Sequence, residues 1–256
     1  AEVDRIRAMG KVTTEVAADL VDFLTAHRAR NGVLIGEQGE ALTIAEVKRR
    51  VNLWLAARGA ENPEGTIFAV GRDAGIPHSS GTDSAPVEIG KTIVFDLFPC
   101  EAGGGYFSDF TRTWCLGHAP DEVLRAYEDV RAVQQEMAAA LCAGATFHDY
   151  QRRTCERFEA RGHPTVRGTP GTTDGYVHSL GHGVGLAVHE QPFTGYSDRS
   201  TDLLLPGSVV TVEPGLYYPE RGFGVRIEDT IWIRPDGTPE VLADFPRELL
   251  LKVQGA

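Results

Sequence analysis

Four acids sit where the most apolar segments of this 256-residue chain would bury them: Asp96 in TIVFDLF, Asp109 in YFSDFTRT, Glu213 in SVVTVEPG and Glu228 in GVRIEDTIWIR. The two-residue period of a strand puts Asp96 on one face with Thr92, Val94 and Phe98, and Asp109 on one face with Phe107, Thr111 and Thr113. Thr211 shares a face with Glu213, and Arg226 and Thr230 share one with Glu228. If the segments pair as hairpins, two carboxylates oppose each other twice, with Cβ atoms ~4.5–5.5 Å apart. Opposed like charges destabilise a strand pair, and buried carboxylates require protons or counter-ions. Arg226 offers one positive charge, whereas two divalent cations would offer four. A single such acid is best read as facing solvent. Two opposed pairs on apolar strands instead point to a cradle for Mg, Mn, Co or Zn.

A second cluster, HSLGHGVGLAVHE, holds His178, His182 and His189 among Gly181, Gly183 and Gly185. The four-residue step from His178 to His182 matches the HExxH zinc motif in spacing only. Ser179 stands at the Glu position and the glycines disfavour a helix. The composition fits one metal ligand and two hydrogen-bonding groups at a cleft. His78, in the loop GIPHSSGT, joins them, while His27, His118, His148 and His163 read as ordinary surface or core residues.

The elements that must position these groups follow from periodicity. Apolar residues at helical spacing predict a helix over Val3–His27, and Thr43 with Glu46 at capping-box spacing opens a second that ends near Gly59. Strands are expected over Thr66–Gly71, Lys91–Pro99 and Gly105–Trp114, the last two joined by CEAGG as a hairpin. The order then repeats. Pro120 and Asp121 open a helix, FHDYQRRTCERFEARG supplies another, and Gly207–Gly215 and Phe223–Arg234 form a second strand pair across a turn-rich LYYPERG. The fold class is therefore α+β, with two pseudo-symmetric helix-helix-hairpin lobes around one core and residues 1–256 as a single domain.

Composition narrows the function. With 25 Lys+Arg against 36 Asp+Glu the formal charge is −11, and no basic patch compensates, which argues against nucleic acid. No apolar run approaches the roughly 20 residues of a bilayer span, and AEVDRIRAMGK lacks the apolar core of a signal peptide, so no membrane partner is expected. The four cysteines form no CxxC pair and read as reduced, small hydrophobes of a cytoplasmic protein.

Taken in order, VFDLFP, SDFTRTW, GHGVGL, VHE, TVEPGLYY and VRIEDT resemble the pita-bread metallopeptidases: methionine aminopeptidases, Xaa-Pro aminopeptidases, prolidases and non-hydrolytic relatives such as creatinase. The resemblance spans nearly the whole chain. It implies a pita-bread fold with a curved, mainly antiparallel sheet and a dinuclear site of Asp96, Asp109, His182, Glu213 and Glu228. EPGLYY, GVRIEDT and PHSSG look like the Xaa-Pro branch, which implies cleavage of Xaa-Pro bonds in dipeptides or at the N-terminus of short proline-containing peptides, by a hydroxide bridging the metals. Glu213 is then the general base, His178 and His189 donate to the substrate and oxyanion, and His78 and Arg226 lie on the substrate side. Arg226 has an equal claim to holding Glu228 or a neighbouring acid. An oxygen-rich ligand set puts Mn first, with Co and Zn behind. Two features stand apart from the family pattern: the CEAGGG turn is longer than usual, and the extra N-terminal domain of longer Xaa-Pro enzymes is not represented. A homodimer is the expected assembly. A methionine aminopeptidase and a non-catalytic binding protein on the same fold are the competing readings, while a dinuclear phosphoesterase would want more positive charge than Arg226 and Arg112 provide.

Overall fold

A computed structural model describes residues 1–195 and 200–256. Its helices are α1 (Glu2–Ala26), α2 (Ile44–Ala57), α3 (Asp121–Ala140) and α4 (Phe147–Glu159), within a few residues of the sequence expectation. The α1 stripe Ile6, Met9, Val16, Leu20 and Leu24 is buried, as apolar residues three to four apart require. Thr43 caps α2 by accepting the Glu46 N–H, satisfying one of the four donors a helix start leaves open.

Each helix pair covers one sheet. Beneath α1 and α2 lies a four-stranded sheet ordered Leu250–Leu251, Phe110–Leu116, Thr92–Leu97, Thr66–Val70, antiparallel except for the parallel first pair. Ile93, Phe95, Leu97 and Trp114 pack there against Leu20, Leu24, Val47 and Val51. Beneath α3 and α4 lies a five-stranded sheet ordered Pro239–Val241, Asp229–Ile233, Val209–Val212, His182–Gly183, Glu190–Phe193, with Val210, Val212, Ile231 and Ile233 in the second core. The lobes meet where Glu228 N–H donates to Thr111 O at 3.0 Å and Thr113 Oγ1 exchanges hydrogen bonds with the Arg226 backbone at 2.9 Å. All six residues of Thr92–Leu97 are buried, so the strand has no solvent face. One side meets the helices; the other, with Asp96, looks into the space between the lobes.

The first hairpin departs from the expectation in register. Asp96 opposes Thr111, which leaves Asp109 diagonal to Asp96 on the same face rather than opposite it. The regular ladder starts at Phe110 and not Gly105 because Ser108 N–H, in the same register, donates to Pro99 O and proline has no N–H to return, while Phe107 N–H goes to Gly185 O and Asp109 N–H to Thr230 Oγ1. In the second hairpin, Val212 opposes Asp229 and Gly215 opposes Arg226. That one register, unbroken across the gap, sets Glu213 against Glu228 as expected. LYY is strand rather than turn; the chain reverses at Pro219–Arg221, where Gly222 takes a φ of 77°.

Candidate metal centre

The five predicted ligands come from five places around the lobe junction. Asp96 lies inside Thr92–Leu97, Asp109 just before Phe110–Leu116, His182 at the start of His182–Gly183, Glu213 just after Val209–Val212, and Glu228 between Phe223–Arg226 and Asp229–Ile233. All five line one cleft of about 240 Å³ together with His78, His178, His189 and Arg226. One ligand atom each from Asp109, His182 and Glu228 lies within 4.8 Å of the other two. His182 Nε2 stands 3.3 Å from Glu213 Oε1 and 3.5 Å from Asp109 Oδ2.

The polar atoms here are incompletely satisfied, and that identifies what the site lacks. Asp96 Oδ2 accepts Arg226 Nη2–H at 2.6 Å and Glu228 Oε2 accepts Thr111 Oγ1–H at 2.6 Å. Asp96 Oδ1 and Glu228 Oε1 are buried with no hydrogen-bond partner among the described residues. A buried acceptor left unpaired costs ~1–3 kcal/mol, more when charged. Burial pushes the Asp96 carboxyl up despite Arg226, and pushes Asp109 and Glu228 well up, each further raised by its acidic neighbours. Cations coordinated at those oxygens would remove both penalties.

His182 is prepared for the same role. Its Nδ1–H donates to Gly183 O at 3.0 Å, leaving Nε2 facing the carboxylates, the arrangement second-shell contacts impose on metal-binding histidines. The flanking glycines are required for close approach rather than for unusual dihedrals. A Cβ on Gly181 would stand 2.1 Å from Thr211 O, and one on Gly183 2.3 Å from Gln191 O.

The remaining predicted residues differ in how free they are. His78 and His189 are exposed within the cleft. Burial, then the neighbouring His182, holds the His189 imidazole below its ordinary pKa. His178 is buried and lowered to about 4 by that burial, hence neutral. Its Nδ1–H donates to Ser179 O at 2.7 Å and its Nε2 accepts the Tyr217 hydroxyl at 2.9 Å, so the ring has no N–H left for a substrate. Arg226 has four of its five N–H groups engaged, donating to Asp96, Thr111 Oγ1, Tyr217 Oη and Pro77 O. Of its two expected roles, the structure displays the holding one, with Asp96 direct and Glu228 reached through Thr111. Tyr217 and Thr111 escaped the sequence reading as site residues. The alternation Glu213, Gly215, Tyr217 and the shared face of Asp109 and Thr111 were the available signals.

A two-lobed α+β frame that gathers buried acids and an oriented imidazole at its seam defines a metallohydrolase-type scaffold, and the match of residues 4–235 to metallopeptidase family M24 agrees with it. The chain belongs to that family. It is 35% identical over 206 residues to the Xaa-Pro dipeptidase of Pyrococcus furiosus, covering 80% of this chain and 55% of that protein. It is 31% identical over 251 residues to a probable dipeptidase of Mycobacterium tuberculosis, covering 98% and 59%. The crystal structure of the prolidase from Pyrococcus horikoshii OT3 superposes with a TM-score of 0.79 at 29% identity, over 97% of this chain and 63% of that one. The architecture is thus the pita-bread fold. The chain spans little more than half the length of these curated relatives. Among the described residues no helix is long and apolar enough to cross a membrane.

Proposed function

We propose that residues 1–256 form one catalytic domain that hydrolyses Xaa-Pro bonds, in dipeptides or at the N-terminus of short peptides, with two divalent cations held by Asp96, Asp109, His182, Glu213 and Glu228. The observation that carries the reading is the pair of buried, unpartnered oxygens on Asp96 and Glu228 beside a His182 whose Nε2 is turned toward the acids. The Xaa-Pro preference is supported by the prolidase and Xaa-Pro dipeptidase relatives. Four carboxylates and one imidazole favour Mn, then Co and Zn. Bound there, such cations lower the pKa of a water and polarise the scissile carbonyl.

The protein groups divide the remaining work. Burial alone would raise the Glu213 carboxyl, but the His182 hydrogen bond and charge outweigh it and hold its pKa below the ordinary value. Glu213 is therefore ionised at neutral pH in the metal-free chain, and bound cations would replace the His182 charge in keeping it so, ready to take the water proton and pass it to the leaving prolyl nitrogen. His189, neutral and accessible, donates to the substrate and the developing oxyanion, a contact worth roughly 3–4 kcal/mol when well placed. His178 joins this side of the cleft as an oriented wall, its ring fixed through Tyr217. It becomes a donor only if substrate displaces Ser179 O from the Nδ1–H. His78 meets the substrate at the mouth, and Arg226 aligns Asp96.

The same reading places the enzyme in the cytoplasm, in keeping with four free cysteines, and as a homodimer, which sedimentation would test. The decisive assay strips the purified chain with EDTA, restores Mn, Co or Zn singly, and offers Ala-Pro, Ala-Pro-Ala and Met-Ala-Ala. Hydrolysis of the proline substrates should vanish and return with metal. Undiminished cleavage by metal-free protein would overturn the mechanism, and preference for Met-Ala-Ala would overturn the Xaa-Pro assignment.

A further inference from the structure

Arg112 and Asp229 take no part in the cleft, yet they are 0% and 1% exposed, among the most deeply buried charges of the protein. Strand alternation places Arg112 on the face opposite to Thr111, and Asp229 on the face opposite to Glu228, so both stand behind the sheet that carries the site. Arg112 Nη2 donates to Asp229 Oδ1 at 2.8 Å. Its Nη1 donates to two backbone carbonyls, Thr111 O at 2.9 Å and Glu228 O at 2.8 Å. Asp229 Oδ2 accepts from Gln134 of α3 at 2.7 Å and from Arg247 at 2.6 Å.

A buried ion pair is weak evidence for stability, since well-packed apolar residues often replace one at no net cost. What apolar residues could not reproduce is the grip on two carbonyls. Those carbonyls belong to the residues whose side chains meet in the cleft, where Thr111 Oγ1 donates to Glu228 Oε2 at 2.6 Å. They also lie at the seam where the lobes exchange backbone hydrogen bonds. We propose that Arg112, locked by Asp229, is a positioning residue that fixes the Glu228 backbone against Thr111 and so sets where the Glu228 carboxylate meets a cation. The inference rests on Glu228 being a metal ligand.

The test titrates the full, metal-stripped chain with Co²⁺ alone, reading the dissociation constant, the visible absorption of bound cobalt and the urea midpoint. Arg112→Lys keeps a charge beside Asp229 but loses the forked geometry that reaches both carbonyls. It should weaken cobalt binding ~10–100-fold and alter the spectrum, as loss of outer-shell support does. Arg247→Met removes a cation from Asp229 while leaving the carbonyl grip, and should lower the urea midpoint with cobalt affinity near that of the wild type. If Arg112→Lys fails to fold, Asp229→Asn takes its place; it retains an acceptor for Arg112, removes the locking charge, and should weaken cobalt in the same direction. A folded variant of Arg112 or Asp229 with wild-type affinity and spectrum, while Glu228→Gln loses affinity, overturns the positioning role alone. Wild-type cobalt binding by Glu228→Gln as well overturns the metal-site reading beneath it.

Discussion

Metal uptake should compete with a proton on His182. Burial alone would lower the pKa of this imidazole, but the hydrogen bond and charge of Glu213, with Asp109 beyond it, raise it to about 9. Glu213, Asp109, Glu228 and His189, whose ring centroid lies 4.3 Å from that of His182, are titratable groups facing the ring. A cation takes Nε2 as a lone pair, so the proton must leave. At neutral pH, expelling a proton of pKa about 9 costs ~2.7 kcal/mol, or ~100-fold in affinity. The cost shrinks by ~1.4 kcal/mol for each unit of rising pH.

Calorimetric titration of the metal-free chain with Mn²⁺ or Co²⁺, between about pH 6 and 8, should therefore show affinity rising at least ~10-fold per unit. Paired buffers of different ionisation enthalpy should register about one proton or more released per binding event. The upward push on Asp109 and Glu228, from burial and neighbouring acids, acts in the same direction. Stability follows the same linkage. A folded pKa of about 9 against an unfolded ~6.5 gives a stabilisation fully present below about pH 6.5 and lost as pH rises through about 9, worth up to ~3 kcal/mol. The metal-free chain should lose stability over that window, and saturating metal should offset the loss. A pH-independent affinity, or binding with no proton release, would refute the reasoning.

Three further outcomes follow from the same geometry. Glu213→Gln should keep its circular dichroism and lose ~10²–10⁴-fold in kcat; ordinary Xaa-Pro turnover would remove Glu213 as the base. Arg226→Met strands Asp96 with a buried, unpaired oxygen on each side and should cost ~3–5 kcal/mol in urea denaturation of the metal-free chain; a loss under ~1 kcal/mol would mean that Arg226 does not hold Asp96. His178, neutral in the fold down to about pH 4, makes the unfolded chain the stronger proton binder as pH falls below about 6.5, so up to ~3 kcal/mol drains away by about pH 4. His178→Gln should flatten that acid arm, and an unchanged slope in urea midpoints would contradict the assignment.

How much of this was legible depended on whether a residue's environment is local. The helices were, because a stripe such as Ile6, Met9, Val16, Leu20 and Leu24 repeats often enough to declare its period. The acids were legible as anomalies on apolar strands. Their exact pairing was not, since Phe107 and Asp109 send their N–H groups out of the hairpin, to Gly185 and Thr230 far along the chain. His182–Gly183 is too short to show a period at all. The glycines around it disfavour a helix in sequence, whereas their need is for space against Thr211 and Gln191, a tertiary contact no local pattern reveals. Arg112 was visible as a charge inside a strand of buried residues, but its partner lies on another lobe.

The charges explain why the acids can be assembled before any cation arrives. Asp96 has Arg226 and Glu213 has protonated His182, while Asp109 and Glu228 have no cationic side chain of their own and are raised well above the ordinary carboxyl range. Burial and mutual repulsion thus favour the protonated form where the protein supplies no counter-charge, which lightens the cost of gathering four carboxylates in a low dielectric. On the proposed metal-centre reading, a cation would displace the His182 proton rather than fill a preformed anionic hole. With the His182 proton gone, four carboxylates against Arg226 and one divalent cation leave a single net negative charge, and a second cation turns it to a single positive one. Only the second state favours deprotonation of a water in the cleft, because a net positive surrounding stabilises hydroxide. Arg226, paired with Asp96, supplies the unit of positive charge that would make that sign change possible were two cations bound.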